Sequence, residues 1–360
     1  MKAIIFAGGV GTRLWPLSRK KSPKQFEKII GSKSTLQLAA FRLLPDFKWA
    51  DMYVATGAAY TKTVLSQLPD IPADHVIGEP EMRDVGPAVG LMTAILKRES
   101  PHEPMVIVWS DHMVRNEELF RKILLSAGRY VSKHTNTIIF VSQKPRFASV
   151  NLGWIGYGKE KVRENGISFK HFLDFQYRPD KKTAERYFLD RCHAWNLGYF
   201  VTTPSFLWKQ FEQFAPNLAK GLSEVAQAWG TDAFSKKLSE IYPTLEKISF
   251  DNAILEKLNP DDALVVSENI EWSDVGAWEA LKEALEKSKD KNVISGKVLM
   301  TDTEDSLVYN YTNQMVTTID LKSMLVVVTD DVILVCPKGS VPKIKKFVEG
   351  LSGTENEHLA

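Results

Sequence analysis

The chain has few cysteines and no long apolar segment, and both absences restrict what it can be. Its only cysteines are Cys192 and Cys336, too few for a disulfide framework and typical of a protein in a reducing compartment such as the cytoplasm. No apolar run approaches the roughly 20 residues that a membrane-spanning helix needs. The N-terminal apolar stretch leads into glycines and Arg13 rather than a small-residue cleavage site, so we expect no signal peptide.

An excess of charge of one sign is also missing. The chain has 46 basic and 44 acidic residues, which gives a net charge of +2. A nucleic-acid-binding domain normally shows a clear basic excess, so we expect no nucleic-acid partner. The length of 360 residues predicts one large domain with a smaller one beside it, and such a chain can bury a substantial core.

Two familiar phosphate-binding motifs are absent, although a glycine-rich loop is present near the N-terminus. Leu14 stands where the dinucleotide fingerprint needs its third glycine, and the chain contains no P-loop. An apolar strand nevertheless runs into glycines that can present backbone N–H groups to phosphate oxygens, and Arg13 and Lys24 can offset the charge of a polyphosphate. One hypothesis is a nucleotide triphosphate site. The other is an ordinary strand-to-helix turn with solvated cations.

Alternating strands and helices in the first half predict an α/β domain with a mainly parallel sheet. The predicted strands are Ala3–Ala7, Met52–Thr56, Met105–Ser110 and Thr137–Ser142, and the helices between them are Thr35–Leu44, Tyr60–Gln67, Pro87–Arg98 and Glu117–His134. Glycines between 150 and 200 predict a mixed extension of this sheet. A largely helical stretch, Ser205–Leu258, and a further strand, Ala263–Trp272, complete the domain.

A charged run, Glu286–Asn292, marks a change in composition and predicts a linker. Short predicted strands follow at a spacing of about ten residues, which favours a small β module of stacked coils or hairpins. A final helix over Ser340–Leu351 is expected to cap this module. We therefore predict a first domain at 1–288, a second at 292–352 and a disordered tail at 353–360.

Two aspartates follow predicted strands and are candidate metal ligands. Asp111 comes after the strand Met105–Ser110, and Asp274 follows the strand that ends near Trp272. Magnesium takes hard oxygen ligands, commonly one or two carboxylates together with substrate phosphates. The alternative is that each aspartate caps a loop or a helix start. From spacing alone both interpretations stay open.

The glycine loop belongs to a longer motif, Phe6-Ala7-Gly8-Gly9-Val10-Gly11-Thr12-Arg13-Leu14-Trp15-Pro16-Leu17-Ser18-Arg19, followed by Pro23-Lys24-Gln25-Phe26. This motif resembles the signature of mannose-1-phosphate guanylyltransferases, the sugar-nucleotide pyrophosphorylases that make GDP-mannose. The resemblance continues in order through nearly the whole chain. The further matching segments are Glu79-Pro80, Ser110-Asp111-His112, Trp195-Asn196-Leu197-Gly198, Ser249-Phe250-Asp251, Trp272-Ser273-Asp274-Val275-Gly276-Ala277-Trp278, Asp330-Asp331 and Val335-Cys336-Pro337-Lys338.

The resemblance implies a Rossmann-like nucleotidyltransferase domain followed by a small left-handed β-helix-like domain. It implies the Mg²⁺-dependent conversion of GTP and α-D-mannose 1-phosphate to GDP-mannose and pyrophosphate, and a possible homodimer. By this analogy the catalytic residues are Arg13, Lys24, Asp111 and Asp274, with both aspartates as magnesium ligands. The nucleotide-binding residues are Ala7, Gly8, Gly9, Gly11, Thr12, Glu79, Gly86 and Pro87. The sugar-binding residues are Gly153, Arg178, Asn196 and Asp251.

The chain departs from the family pattern where base and sugar are expected. The family's Asn-Thr-Ala-Pro-Ala is here Asp84-Val85-Gly86-Pro87-Ala88, its Pro-Glu-Thr-x-Tyr-Gly-Tyr-Ile is Ala148–Ile155, and its Glu-Lys-Pro is Tyr177-Arg178-Pro179. Tyr177 removes a carboxylate that the family would direct at sugar hydroxyls. The sequence therefore does not decide whether the substrate is mannose 1-phosphate or another sugar 1-phosphate. It also does not decide how strictly the site requires guanine.

Two other functions were compared with guanylyltransferase activity. The first is a non-catalytic sugar-nucleotide sensor on the same fold, but such a protein need not keep Arg13, Lys24, Asp111 and Asp274 together. The second is an additional activity as phosphomannose isomerase, which is not expected because the chain ends soon after the β module.

Overall fold

The computed structural model describes residues 1–9, 11–286 and 291–360, and its central element is a nine-stranded sheet. The strands of the chain are β1 Lys2–Ala7, β2 Met52–Gly57, β3 Val76–Glu79, β4 Met105–Trp109, β5 His112–Val114, β6 Ile138–Gln143, β7 Gly153–Glu164, β8 Ile167–Gln176, β9 His193–Thr202, β10 Ala263–Glu268, β11 Trp272–Asp274, β12 Val293–Ser295, β13 Val298–Thr301, β14 Leu307–Asn310, β15 Val316–Ile319, β16 Met324–Val328 and β17 Ile333–Pro337. The helices are α1 Thr35–Leu43, α2 Thr61–Gln67, α3 Val85–Glu99, α4 Glu117–Lys133, α5 Lys181–Asp190, α6 Pro204–Phe214, α7 Pro216–Gln227, α8 Phe234–Ile241, α9 Phe250–Ala253, α10 Trp278–Leu285 and α11 Pro342–Glu349.

The large sheet has the order β3-β2-β1-β4-β9-β6-β10-β8-β7. Its first four strands pair in parallel, and β6 pairs in parallel with β10. The pairings of β9 with β4 and with β6 are antiparallel, as is that of β7 with β8. The predicted α/β fold with a mixed sheet is confirmed. The carboxyl ends of β1, β2 and β3 lie at one edge, which is where ligands bind in such sheets.

The parallel strands of the sheet are apolar because both of their faces are buried. Apart from its first residue, β1 is buried along its whole length, as expected of a strand covered by helices on both faces. Asn116 caps helix α4, because its side-chain oxygen accepts from the Leu119 N–H, and the helix buries one apolar face. Helices α3, α6 and α7 contribute Val89, Leu207 and Leu222 to the main core.

The predicted strand Ala263–Trp272 is two strands in the structure. Strand β10 ends at Glu268, and Trp272–Asp274 forms β11, which pairs with β5 in a separate two-stranded sheet. Glu271, between them, has a positive φ of 53°, a conformation that ends a regular strand. The short strands β3 and β5 were not predicted, because four or three residues give too little alternation to detect.

The chain divides into two compact units. The first contains residues 1–8, 39–110 and 114–271, and the second contains 9–38, 111–113 and 272–360. The second unit therefore includes the segment after the first glycine as well as the C-terminal strands. Most of the predicted linker, at 287–290, and the predicted domain end at 288 lie outside the described residues, as does Val10.

The C-terminal strands form a small β-helix-like module in the second unit. Strands β12, β14 and β16 pair in parallel, β13 pairs in parallel with β15, and β17 closes the larger sheet in the antiparallel sense. Residues 353–360, for which the sequence predicted disorder, form turns and end in the 3-10 helix Glu357–Leu359. Within the described ranges no helix is long and apolar enough to cross a membrane.

Candidate functional site

The glycine loop leaves the end of β1 in a conformation that requires glycine. Gly9 and Gly11 have φ values of 92° and 67°, which side chains with a Cβ rarely adopt. A Cβ at Gly11 would lie 2.6 Å from Cγ of Lys24, so the lysine packs directly against the loop. The Gln25 side-chain amide also donates to the Gly9 carbonyl at 3.3 Å. Lys24 and Gln25 thus hold the loop from one side.

Lys24 forms an ion pair with Asp111. Its Nζ lies 2.6 Å from Oδ2 of Asp111, and the lysine side chain is only 8% exposed. The low exposure matters because a lysine is seldom buried unless it is paired. Burial alone would raise the pKa of Asp111, but the positive charges of Lys24 and His112 outweigh it and hold that pKa well below its usual range. Asp111 is therefore ionised at neutral pH.

Asp274 and Arg13 lie beside the same lysine. Asp274 ends β11, and its Oδ1 accepts a hydrogen bond from the Gly276 N–H at 2.8 Å. A Cβ at Gly276 would lie 2.6 Å from that Oδ1 and 3.1 Å from both Nη2 of Arg13 and Nζ of Lys24. The absence of a side chain at Gly276 leaves a point around which two cations and one carboxylate gather. Gly276 was part of the family motif, but its role in keeping this space open was not predicted.

The two aspartates reach one place through the pairing of β5 with β11. Asp111 directly precedes β5 and Asp274 ends β11. The sequence placed these two aspartates only at the ends of separate strands. With Arg13 and Lys24 beside them, the four predicted catalytic residues lie near one another. His112, next to Asp111, packs edge-on against the Trp272 ring with a centroid distance of 5.1 Å, so its ring takes part in packing.

The donor set at this place suits a magnesium ion. The Asp111 carboxylate pairs with the Lys24 ammonium, and Oδ1 of Asp274 and Nζ of Lys24 border the same point at Gly276, so a positive charge is already stabilised there. Magnesium is commonly held by one or two carboxylates, with substrate phosphates completing its coordination. Across the described ranges, no group of three or more His, Cys, Asp or Glu side chains forms a metal cluster.

Predicted base-binding residues lie in the first unit, at the edge strand of the sheet. Glu79 ends β3, and its Oε2 accepts from the Tyr242 hydroxyl at 2.5 Å. Burial raises the pKa of Glu79 to about 7, while the hydrogen bond from Tyr242 acts in the opposite direction. The Gly86 N–H donates to the Ile248 carbonyl at 2.9 Å. Tyr242 was missed in the sequence, because nothing in its local pattern marks it.

Gly86 and Pro87 form the first turn of α3, which Asp84 caps through its bond to the Val85 N–H. A Cβ at Gly86 would lie 2.6 Å from the Ile248 carbonyl oxygen, so glycine is required for this close approach. Asp84 itself has a φ of 67°. Its carboxylate is thus partly engaged by its own helix.

The predicted sugar-binding residues are arranged around β7 and β9. Gly153 is directly opposite Asn196 in the strand register, and a Cβ at Gly153 would lie 3.2 Å from the Phe175 ring and 3.3 Å from Cβ of Asn196. The Asn196 side chain accepts from the Gly198 N–H at 3.0 Å. Arg178 has a φ of 45° and stands 5.0 Å from the centre of the Tyr177 ring.

Asp251 lies in the first turn of α9. Burial and the negative charges of Glu256 and Asp84 raise its pKa to about 6, and Arg178 opposes them. Asp84, Arg178 and Asp251 are therefore electrostatic neighbours, although no hydrogen bond joins Arg178 and Asp251 among those recorded for the described residues. The arrangement combines an acid, a cation and an aromatic ring, which together can bind hydroxyl groups.

Comparison with protein families identifies the class of fold and site. The family model described as nucleotidyl transferase matches residues 2–291. A second model, described as a MannoseP isomerase/GMP-like beta-helix domain, matches residues 296–351. The first match covers most of the chain, so this protein is a nucleotidyl transferase with a C-terminal β-helix-like domain.

Individual relatives narrow the assignment. The chain is 31% identical to mannose-1-phosphate guanylyltransferase 2 of Escherichia coli O157:H7 over 97% of its own length and 73% of that relative. It is also 31% identical to the mannose-1-phosphate guanylyltransferase of Salmonella montevideo, over 99% of this chain and 74% of the relative. A crystal structure from Thermus thermophilus, described as a mannose-1-phosphate geranyltransferase, superposes with a TM-score of 0.85 at 26% identity, covering 98% of this chain and 99% of that one. The chain belongs to the mannose-1-phosphate guanylyltransferase family.

Proposed function

We propose that the protein transfers the guanylyl group of GTP to α-D-mannose 1-phosphate, giving GDP-mannose and pyrophosphate. The observation that carries this proposal is the gathering of Arg13, Lys24 and Asp274 around Gly276, with Asp111 paired to Lys24. Two cations beside two carboxylates are suited to a polyphosphate and its metal ion. A site of this kind has little use in a protein that only binds a neutral ligand.

The attacking group in this reaction needs no general base. A phosphomonoester has a second pKa of about 6, so an oxygen of the sugar phosphate is already anionic at neutral pH. That oxygen forms a bond to the α-phosphorus of GTP, and the bond from this phosphorus to the β,γ-pyrophosphate breaks. The pyrophosphate leaves with the electron pair. The protein's task is to align two polyanions and to stabilise the charge that develops on the leaving group.

The cationic and the acidic residues of the site have different roles in this reaction. Arg13 and Lys24 neutralise phosphate oxygens, and the loop residues Ala7, Gly8, Gly9, Gly11 and Thr12 bind the nucleotide, with the glycines presenting backbone N–H groups to phosphate oxygens. Asp111 and Asp274 would hold Mg²⁺. When bound, that ion supplies Lewis-acid stabilisation of the phosphate charge.

Base and sugar recognition are assigned to the first unit. Glu79 accepts hydrogen bonds from guanine, and the turn at Gly86 and Pro87 lies against the base. Gly153, Asn196, Arg178 and Asp251 contact the sugar phosphate. The aromatic Tyr177 in place of the family's glutamate favours, as a second candidate, a different hexose or heptose 1-phosphate.

Two further proposals rest on the family and the composition. A homodimer is proposed by analogy with the family. A cytoplasmic location is proposed because both cysteines are free thiols, Cys192 exposed and Cys336 partly buried.

To test the proposal, each of several nucleoside triphosphates is combined with each of several sugar 1-phosphates, and pyrophosphate release is measured. Each measurement is made with Mg²⁺ present and with Mg²⁺ chelated. We expect the highest kcat/KM with GTP and mannose 1-phosphate, and loss of turnover when the metal is chelated. A higher value with another sugar phosphate would select the second candidate. If no pair of substrates releases pyrophosphate although a GDP-sugar binds tightly, the catalytic proposal is wrong and a non-catalytic sensor is favoured.

A further inference from the structure

We infer that Tyr242 is a positioning residue for base recognition, because its hydroxyl holds the Glu79 carboxylate in the orientation that accepts hydrogen bonds from guanine. The inference rests on the proposed function, in which Glu79 faces the base. It adds a residue that the sequence motifs do not contain and assigns to it a measurable part of the preference for guanine.

The contact itself is short and partly buried. Tyr242 is fully buried and begins the 3-10 helix Tyr242–Thr244. Its hydroxyl donates to Oε2 of Glu79 at 2.5 Å, across 163 residues of sequence. A buried tyrosine has few rotamers available, so the position of its hydroxyl is fixed by packing. The carboxylate at the end of β3 is therefore held by a rigid donor.

Two neighbouring contacts attach the same segment to the predicted base-binding turn. The Arg83 guanidinium donates to the Pro243 carbonyl, and the Gly86 N–H donates to the Ile248 carbonyl at 2.9 Å. With the Tyr242 bond, three hydrogen bonds join residues 242–248 to residues 79–86. The segment that carries Tyr242 thus has a defined position relative to the turn at Gly86.

The chemistry of the base explains why this orientation matters. Guanine presents N1–H and its 2-amino group as adjacent donors, whereas adenine presents an acceptor at N1. An ionised carboxylate is acceptor-only and offers about four lone-pair positions. Tyr242 uses one of them and, within the described part of the chain, is the residue that donates to this carboxylate. The remaining positions are available to the two guanine donors and repel adenine N1.

Tyr242 also favours the charged form that guanine requires. Burial raises the pKa of Glu79 to about 7, and the Tyr242 hydrogen bond counteracts that rise. Burial and the nearby Glu79 raise the pKa of Tyr242 well above its usual range, with Arg83 acting against them, so its hydroxyl stays a donor. Removing the hydroxyl should leave Glu79 protonated at neutral pH, and a protonated acid no longer discriminates against adenine.

The chain provides a matched control for this experiment. The Tyr53 hydroxyl donates to Oε2 of Glu99 at 2.6 Å, and Tyr53 is 2% exposed. This pair has the same chemistry and the same burial of the tyrosine, but neither residue belongs to the proposed site. Tyr53→Phe therefore reports the general cost of losing a buried tyrosine–glutamate hydrogen bond.

The experiment compares Tyr242→Phe, Tyr53→Phe and Glu79→Gln with the unaltered protein. For each, kcat/KM is measured with GTP and with ATP at a fixed sugar 1-phosphate, together with the melting temperature. We expect Tyr242→Phe to lower the GTP/ATP ratio by about tenfold, the size expected for a hydrogen bond to a charged group. Glu79→Gln should lower it at least as far, the double variant should add nothing, and Tyr53→Phe should leave it unchanged.

The pH dependence gives a second readout that a merely structural role would not change. The GTP/ATP ratio of Tyr242→Phe should recover only at a higher pH than that of the unaltered protein, because loss of the hydrogen bond raises the pKa of Glu79 further above its value of about 7. An unchanged ratio in Tyr242→Phe would overturn the inference, as would an equal fall in Tyr53→Phe. Failure of the unaltered protein to release pyrophosphate, or to prefer GTP, would instead overturn the proposed function.

Discussion

Arg19 and Asp331 form a bidentate ion pair between the opening motif and the β-helix-like module. Nη1 and Nη2 of Arg19 each lie 2.6 Å from a different carboxylate oxygen of Asp331. The backbone of Arg19 also pairs with that of Ser22 in a tight turn, and this turn leads directly to Lys24. Asp331 thus supports, from the C-terminal module, the turn that precedes Lys24, for which a catalytic role is proposed.

Asp331→Asn should therefore impair catalysis more than stability. The loss of a paired charge leaves the turn before Lys24 less well fixed, and we expect kcat to fall about three- to tenfold, since misplaced catalytic groups are costly. Because the Asp331 side chain is 48% exposed, the free energy of unfolding should fall by no more than about 1 kcal/mol. Steady-state kinetics and urea unfolding measure the two effects.

The neighbouring Asp330→Asn is the control, because Asp330 lies outside this pair. Equal effects of the two substitutions on kcat would contradict the role given to Asp331. Restoration of activity by exchanging the two residues, in Arg19→Asp with Asp331→Arg, would strengthen it.

The metal assignment predicts that neither candidate carboxylate can be replaced by an amide. Asp111→Asn and Asp274→Asn should each lower kcat at least about 100-fold, as is usual when charge stabilisation in the transition state is lost. Both variants should stay folded, because asparagine oxygen can still accept from Lys24 and from the Gly276 N–H. Pyrophosphate release across a magnesium titration and circular dichroism test this. Activity close to that of the unaltered protein in both variants would refute the assignment.

Gly276→Ala tests the open space around which the charges gather. The new methyl group would lie 2.6 Å from Oδ1 of Asp274 and 3.1 Å from the Arg13 and Lys24 nitrogens, so these groups must move apart. We expect kcat to fall about 10- to 100-fold, with a melting temperature close to that of the unaltered protein. Gly339→Ala is the matched control, because nothing lies within 4 Å of a Cβ there. Full activity of Gly276→Ala would show that the space is not used.

Asp305 should account for part of the acid sensitivity of the second unit. Its carboxylate contacts Nζ of Lys282 at 2.6 Å, accepts from the Ser323 hydroxyl at 2.7 Å and pairs with Lys338. Burial would raise the pKa of Asp305, but the hydrogen bonds from Lys282 and Lys338 outweigh it and lower that pKa. Asp305→Asn should cost about 3 kcal/mol of unfolding free energy near neutral pH, because Lys282 is left buried with less compensation.

The sign of the pH dependence follows from the lowered pKa. The folded-state pKa of Asp305 lies below the unfolded value of about 3.9, so its stabilising contribution is fully present above that value. It is lost as the pH falls through the folded-state pKa. The difference in unfolding free energy between Asp305→Asn and the unaltered protein should therefore shrink below about pH 4.

The neighbouring Glu304→Gln serves as the control for Asp305, because the Glu304–Lys322 pair is 71% and 79% exposed. It should change stability by less than about 0.5 kcal/mol. A pH-independent difference for Asp305→Asn would contradict the electrostatic explanation.

Much of the fold could be predicted because its signals are local. The apolar run of β1 gives a strand confirmed as Lys2–Ala7, and the pattern after Asn116 gives a helix confirmed as Glu117–Lys133. Periodicity and capping depend only on residues within one element. Strand β11 was merged with β10, because the boundary is set by the backbone of Glu271 at a φ of 53° and not by hydrophobicity.

The sequence alone was enough to predict many of the strands and helices and the glycine loop, because these depend on residues close together in the chain. It also carried the motifs whose family resemblance supplied the candidate site residues. Which candidates meet depends on the folded chain. Asp274 reaches Arg13 and Lys24 through the pairing of β5 with β11. Tyr242 reaches Glu79 across 163 residues, and Asp331 reaches Arg19 across 312. Such contacts depend on how whole strands and helices pack against one another. Spacing along the sequence predicts the distance between two side chains only within a single helix or strand.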